Sequence, residues 1–478
     1  MKIEVEEFKR KANEGLNNAH QRELLGRLPV IFKALRDYSF STLADPKAAL
    51  ERGAAIRRES IANLPAYLEA FEKKAVENGA NIVWAEDYRE AREIIIDLAR
   101  KKKVKTITKG KSMLTEEMEL NRALGDNGID VFETDLGEFI VQQMNRTPFH
   151  VVGPALNVAV EEIADLFVSV MGVEKTLDLG GLTMQARGFL REKFKQAEMG
   201  ITGVNMAVAD TGSIILVENE GNIRFSTGGP KTHVAVMGIE KIVPTMDDAL
   251  HVLRLLTRSC TGQAVSSYVN VINGPKKKGE PDGPDELFIV IVDGGRTKIY
   301  ADPDFRQVLG CIKCGACLNV CPVWNKIGGY AYGWVYSGPI GSILNPLFLG
   351  LERAHDLYHA TTLCGACREV CPAGIDHPRL FLKLREKRAS GDRTWGARRL
   401  PLAERLTFSA WAWGISGEGR YRTAGKLLRW MLKPFVTGGV IGKLPAMGSG
   451  WTRFRDLPAP AERPFRRRWS DGERGTTK

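Results

Sequence analysis

The chain has 478 residues, 44% of them hydrophobic and 26% charged, which suits two or three domains of ordinary globular composition. Its N-terminus, MKIEVEEFKRKANEGL, is charged from the start, which speaks against a secretory signal, and no stretch nears the roughly 18 apolar residues of a spanning helix. The net charge of +11 belongs to one end: from Lys383 onward 22 Lys and Arg face 8 Asp and Glu, while the remainder carries −3. A tail with a surplus of +14 suits an acidic partner, an anionic membrane surface or nucleic acid. It equally suits a solvated face.

Residues 18–78 read as helical, with apolar positions three and four apart in RELLGRLPVIFKALRDY and IANLPAYLEAFEKKAV. An alternation follows: NIVWA as strand, DYREAREIIIDLARKK as helix, VKTITKG as strand, TEEMELNRALGDNG as helix and DVFETDL as strand. That order predicts a parallel sheet covered by helices. MAVADTGSIILVENEGNIRFST reads as strands broken by turns, hence hairpins added to that sheet. THVAVMGIEKIV, SYVNVINGP and ELFIVIVDGGRTKIY supply further strands, and GPKKKGEPDGPDE is a polar loop without phosphate-loop spacing. No nucleotide-binding G-x-G-x-x-G follows a strand.

Seven of the eight cysteines fall in two short runs. CIKCGACLNVCPVW, residues 311–324, has the pattern C-x2-C-x2-C-x3-C-P, and LCGACREVCPAGI, residues 363–375, has only C-x2-C-x3-C-P. A small secreted disulfide scaffold would spread its cysteines; these suit reduced thiols in a cytoplasmic setting. The first pattern lets one loop ligate three corners of a [4Fe–4S] cubane, while its fourth cysteine serves the other cluster. Cys311, Cys314, Cys317 and Cys371 are thus the expected ligands of one cluster, and Cys321, Cys364 and Cys367 of the second. Structural zinc is the alternative, and the trailing Cys-Pro in both runs speaks against it. The position that lacks its cysteine is Thr361. The second cluster is then either [3Fe–4S] or a cubane with a non-cysteine ligand. Cys260, far upstream, reads as a packing residue rather than the eighth ligand. Beyond these two runs the sequence shows no internal repeat.

GITGVNMAVADTGSIILVENEGNIRFSTGGPKTHVAVMGIEKIVPT, together with the cysteine runs and the intervening IGGYAYGWVYSGPIGSILNP, resembles the LutB/LldF family of lactate-utilization iron–sulfur proteins. The resemblance implies three parts: a lactate-utilization α/β domain over 1–300 with a helical N-terminal extension, a helical two-cluster ferredoxin-like domain over 301–385, and a basic C-terminal region over 386–478. It implies a mixed sheet similar to that of sugar-phosphate isomerases and CoA transferases. It also implies an electron-transfer subunit of a three-protein cytoplasmic system that oxidises L-lactate to pyruvate. The other subunits are then the expected partners, nucleic acid is not, and the basic tail is suited to the inner membrane face. The incomplete second cysteine run looks like a family feature. Asn157 stands where the family leads one to look for histidine.

In the first domain, KGKSMLTEE follows a strand and opens a helix, which makes Lys111 a candidate for receiving an anion. Glu116, Asp210 and His233 have the chemistry of a general base. Each also has an ordinary role, since Asp210, Thr211 and Ser213 make a good turn and His233 suits a buried strand. Two other functions stay open: an isomerase or CoA-transferase-like enzyme with accessory clusters, and a nucleic-acid-binding redox sensor. The second lacks a helix-turn-helix or an aromatic RNA-binding motif. Trp411, Trp413, Trp430, Trp451 and Trp469 have spacing better suited to packing than to base stacking.

Overall fold

The computed structural model describes residues 3–445, 448–453 and 455–472. Ten strands build the first half: β1 (Asn81–Ala85), β2 (Thr106–Lys109), β3 (Asp130–Glu133), β4 (Met199–Gly203), β5 (Met206–Val208), β6 (Ser213–Glu218), β7 (Thr232–Gly238), β8 (Ile242–Val243), β9 (Tyr268–Ile272) and β10 (Glu286–Val292). Six of them form one sheet in the order β1-β10-β7-β4-β2-β3, every pair parallel.

The central strands are covered on both faces, so they read as apolar runs rather than alternations. Along β10, Leu287, Ile289 and Ile291 enter one core with Leu68 and Phe71, while Val290 and Val292 enter the opposite core with Ile95 and Leu120. The two-residue period of a strand puts neighbours on opposite faces.

The N-terminal α/β fold followed by a helical cysteine-rich region agrees with expectation. Three local expectations need correction. The hairpin β5–β6 does not extend the large sheet; it lies in a second, four-stranded sheet of order β8-β5-β6-β9. The stretch after β6 is a helix, Asn222–Gly228, because the Glu218 carboxylate accepts from Ile223 N at 2.6 Å and satisfies its first turn. TEEMELNRALGDNG is two short helices, Met113–Glu117 and Leu120–Gly125, separated at Glu119 with φ of 50°.

The N-terminal helices pack on the cysteine-rich region, far along the chain. Glu4 N donates to Gly333 O at 2.8 Å, and Gln21 Nε2 to Ile327 O at 3.0 Å. Phe8 and Leu25 share a core with Trp324, Tyr332 and Ile343. These contacts help make residues 1–398 one compact unit. Residues 399–478 form a second unit, in which helices Leu402–Ile415 and Glu418–Leu432 pack on each other. Trp411, Trp413 and Trp430 of these helices are exposed. Among the described residues no helix is long and apolar enough to cross a membrane.

Within the first unit, Arg296 is buried and ligated by two buried carboxylates. Its Nη2 donates to both oxygens of Glu117 at 2.9 Å, and its Nε donates to Glu240 Oε2 at 2.7 Å. Tyr88 donates to Glu117 at 2.5 Å, and Tyr336, from the cysteine-rich region, donates to the same carboxylate. One cation therefore ties the helix after β2, the turn after β7 and the loop after β10 to the second half of the unit.

Burial alone would raise the Glu240 carboxyl, but Arg296, with Lys241 and Lys313 behind it, outweighs burial and holds it down to about 2. A lowered folded value means that the stabilisation is present above the ordinary carboxylate range and is lost as pH falls towards 2. We expect Arg296→Met to cost about 3–5 kcal/mol in urea unfolding, since it strands two buried charges. Glu240→Gln should flatten the acid limb of the stability profile. A cost near that of an exposed pair, about 1 kcal/mol or less, would contradict this role.

Candidate metal centres and the adjoining cleft

The two cysteine runs fold alike. In the first, Lys313 and Gly315 have φ of 60° and 75°; in the second, Leu363 and Gly365 have φ of 56° and 88°. A single helical turn follows each, Ala316–Asn319 and Ala366–Glu369, bearing Cys317 and Cys367. Lys313 N points to the Cys311 sulfur at 3.4 Å, and Leu363 N donates to Thr361 Oγ1 at 3.1 Å. Thr361 thus occupies the place of Cys311, with its hydroxyl bonded as the sulfur is.

The thiols gather across the two runs. Cys311, Cys314 and Cys317 line one hollow together with Cys371, among Val151, Tyr336 and Ile340. Cys321 lines a second hollow together with Cys364, Cys367 and Thr361. Among the described residues no three His, Cys, Asp or Glu side chains gather closely enough for a single metal ion. Burial pushes the Cys314 and Cys317 thiols well above the ordinary range, and pushes Cys367 up to about 12 and Cys371 up to about 11. Burial does this to any thiol, Cys260 included; what marks a metal-binding donor set is the gathering of the motif thiols in two hollows. Cys364 is exposed, and a Thr362 hydrogen bond lowers its thiol. The donor sets therefore fit two iron–sulfur groups, one inside the fold and one near its surface.

Beside the first hollow lies a cleft of about 400 Å³. Chain direction over the sheet reverses between neighbouring strands β2 and β4: β2 leads outward to β3, and β4 leads the other way to β7. The crevice at the carboxyl ends of two such strands is where open α/β sheets bind ligands. Lys111 and Ser112, after β2, and Gly203 and Asn205, after β4, line this cleft. A Cβ on Gly203 would lie 2.6 Å from Ser112 Oγ, so glycine is what lets the two strand ends meet. Ile312 and Lys313, from the first cysteine loop, form the facing wall.

The residues singled out in the sequence separate here. Lys111 lines the cleft, ion-paired with Glu138 at 3.3 Å. Glu116 faces a different groove, of about 930 Å³, and lies 3.4 Å from buried Lys109. Asp210, Thr211 and Ser213 form the β5–β6 turn, where Ser213 Oγ donates to Asn273. His233 is fully buried in β7 with Nε2 2.8 Å from Thr202 Oγ1, and burial lowers it to about 3. Neither Asp210 nor His233 reaches the cleft. Asn157 accepts from Tyr330 OH at 3.2 Å. Cys260 lines the cleft beside the Cys314 loop, away from Thr361, and burial pushes its thiol up to about 12.

Sequence reasoning missed Lys241, Glu240, Arg296 and Lys313, which all line the cleft. Lys241 and Arg296 follow strands β7 and β10, so the carboxyl-end rule, applied to every strand, would have found them. It also missed His150, which is buried beside Gly315, with Nε2 3.2 Å from Asn319, and is lowered by burial to about 4.

Family models match three segments: LUD domain over residues 68–292, 4Fe-4S dicluster domain over 307–375, and lactate utilisation protein B, C-terminal, over 393–474. Lactate utilization protein B of Bacillus licheniformis is 40% identical over 467 residues, covering 98% of this chain and 97% of that one. The same-named proteins of Bacillus thuringiensis and Bacillus cereus are 39% identical over the whole of both chains. A duf162 family protein from Deinococcus radiodurans aligns with 48% of this chain and 98% of its own, at 15% identity and a TM-score of 0.29.

The position of Cys260 yields a test. Cys260→Ala should leave metal bound by the seven motif cysteines unchanged, as measured by iron per chain after anaerobic preparation. Loss of about half the iron would make Cys260 a ligand.

Proposed function

The chain belongs to the lactate utilization protein B family, and from that premise we propose that it is the iron–sulfur electron-transfer subunit of an assembly oxidising L-lactate to pyruvate. The observation that supports this most is the crossed gathering of cysteines, Cys371 with the first run and Cys321 with the second. Cys311, Cys314, Cys317 and Cys371 would hold one [4Fe–4S] cluster. Cys321, Cys364 and Cys367 would hold the other, with Thr361 at the remaining corner. Oxidation of a 2-hydroxy acid releases two electrons, and two such clusters, when bound, supply carriers that take one at a time.

The protein residues set the conditions. Backbone N–H groups of Lys313 and Ile375 point at the Cys311 and Cys371 sulfurs, both at 3.4 Å, and hydrogen bonds to sulfur tune reduction potential. Tyr332 is buried beside both Cys317 and Cys321, which keeps water from between the two sets. The exposed Cys364 puts the second set at the surface, where a partner can receive electrons. In this reading residues 1–300 are the isomerase/CoA-transferase-like lactate-utilization domain, 301–385 the ferredoxin-like domain and 386–478 the basic region. The protein works in the cytoplasm.

The second unit supports a docking role for that basic region. Its paired helices leave Trp411, Trp413, Trp430 and Leu406 exposed among basic residues, more apolar surface than a solvated face needs. We take the occupant to be another subunit of the assembly.

Two outcomes follow. Anaerobically prepared protein should carry about seven to eight irons, and Cys314→Ser should remove one cluster's share. Thr361→Cys should slow the loss of iron in air, because it supplies the missing thiolate. Full iron in Cys314→Ser, or stoichiometric zinc in the wild type, contradicts the ligand assignment.

Truncation before Arg398 should retain the iron and weaken co-purification with the other subunits. Weakening that grows with ionic strength marks charge as dominant, given screening over about 8 Å at physiological salt; a flat response marks the tryptophans. Undiminished co-purification would remove the docking role.

A further inference from the structure

We propose that the cleft between the carboxyl ends of β2 and β4 and the first cysteine loop binds a small 2-hydroxy- or 2-oxo-carboxylate through Lys241 and Lys313. The location comes from topology: this is the point where the parallel sheet reverses its winding, and the strand ends leave a crevice there.

The ligand's charge follows from how the cleft's ionic groups are engaged. Arg296 is held by Glu117 and Glu240, while Lys111 lies 3.3 Å from Glu138, whose carboxyl burial pushes up to about 8. Glu218 accepts from Ile223 N and Asn270, with Arg224 at 3.4 Å. Asp135 caps the helix Leu136–Gln143, and Glu220 accepts from Leu136 N at 3.0 Å. Burial and then Asp135 push Glu220 up to about 7, so part of its charge is gone at neutral pH. Lys241 and Lys313 stand with Lys111 at the crevice. Among the described residues neither Lys241 nor Lys313 forms a close ion pair; the carboxylate nearest them, Glu240, is bonded to Arg296 at 2.7 Å. The Lys313 ammonium rests on the Tyr336 ring at 4.1 Å. Ammonium groups at one crevice whose nearest carboxylate, Glu240, is already engaged by Arg296 are relieved by an anion.

The ligand's class follows from the wall. Ile312 and Lys313 stand between Cys311 and Cys314, so a molecule held by Lys313 lies against the first thiol-lined hollow. The choice of an oxidisable carboxylate over another anion rests on the electron-transfer reading given above. The same lysines would otherwise serve only as countercharges to the thiolates near Cys311, and the experiment separates the two.

The test uses the full-length, iron-loaded chain under anaerobic conditions, titrated calorimetrically with L-lactate, pyruvate, inorganic phosphate and sulfate. L-Lactate and pyruvate should bind. Lys241→Gln should weaken both by about tenfold or more, the worth of one charge-assisted contact, at unchanged iron content and melting temperature. Lys241→Arg should restore most of the affinity. Phosphate or sulfate binding as tightly as the carboxylates, and competing with them, would overturn the carboxylate assignment. Carboxylate affinity unchanged in Lys241→Gln, with only the cluster's potential shifted, would make the lysines countercharges and overturn the site. No binding of either carboxylate to the wild type would overturn it too. Carboxylate binding in the cleft, without cluster reduction in the full assembly, would leave the site standing and sink the electron-transfer reading. Cluster reduction in the assembly without carboxylate binding by this chain would do the reverse.

Discussion

A single buried guanidinium holds the first unit to its working shape. Arg296 sits between Glu117 and Glu240 and meets Tyr336 through Glu117. Taking three charges out of water is costly, and that cost is offset only when every lone pair and N–H is matched. Tyr88 and Tyr336 help supply the match. The consequence is geometric. The strand ends that line the cleft and the segment that follows the first cysteine run are fixed to one another, so the cleft and the first hollow share a wall.

The surroundings of the two hollows differ in a way that suits a path for electrons. The first is enclosed by Val151, Ile340 and Ile375, with buried Arg57 donating to backbone carbonyls of Leu309 and Gly310 just before Cys311. The second is bordered by prolines and threonines and includes the exposed Cys364. In the function proposed, a carrier inside the fold beside the cleft and another at the surface would give the order in which electrons pass from a bound 2-hydroxy acid to a partner. A loop of the first half also packs closely on the cysteine-rich region. Gly329 lies where a Cβ would be 1.7 Å from Phe149 O, so the loop before residue 158 presses on the cysteine-rich region as closely as backbone allows.

The large sheet was legible because its strands are apolar runs separated by helices with a 3.6-residue period. The grouping of the cysteines was expected from their spacing, which a cubane's corners would dictate, and the two hollows group the same thiols. What stayed hidden depended on partners remote in sequence. An antiparallel hairpin signal does not say which sheet receives it, and β5–β6 went to the smaller one. The helix Asn222–Gly228 depends on a carboxylate from the preceding strand, which local propensity does not include. The amphipathic N-terminal helices declare an apolar face without naming what covers it, and the cover is the cysteine-rich region 300 residues away. Lys241 and Arg296 are single cations after strands, indistinct from surface charges until the topology puts them at one crevice.

The central claim is that electrons from L-lactate pass through clusters held by this chain. It is tested most directly by purifying the chain anaerobically with its partner subunits, adding L-lactate without an external acceptor, and following EPR during rapid freezing. The account predicts reduced-cluster signals that appear no later than pyruvate, and that disappear in an assembly carrying Cys314→Ser. Pyruvate formed at full rate while both clusters stay oxidised would contradict it.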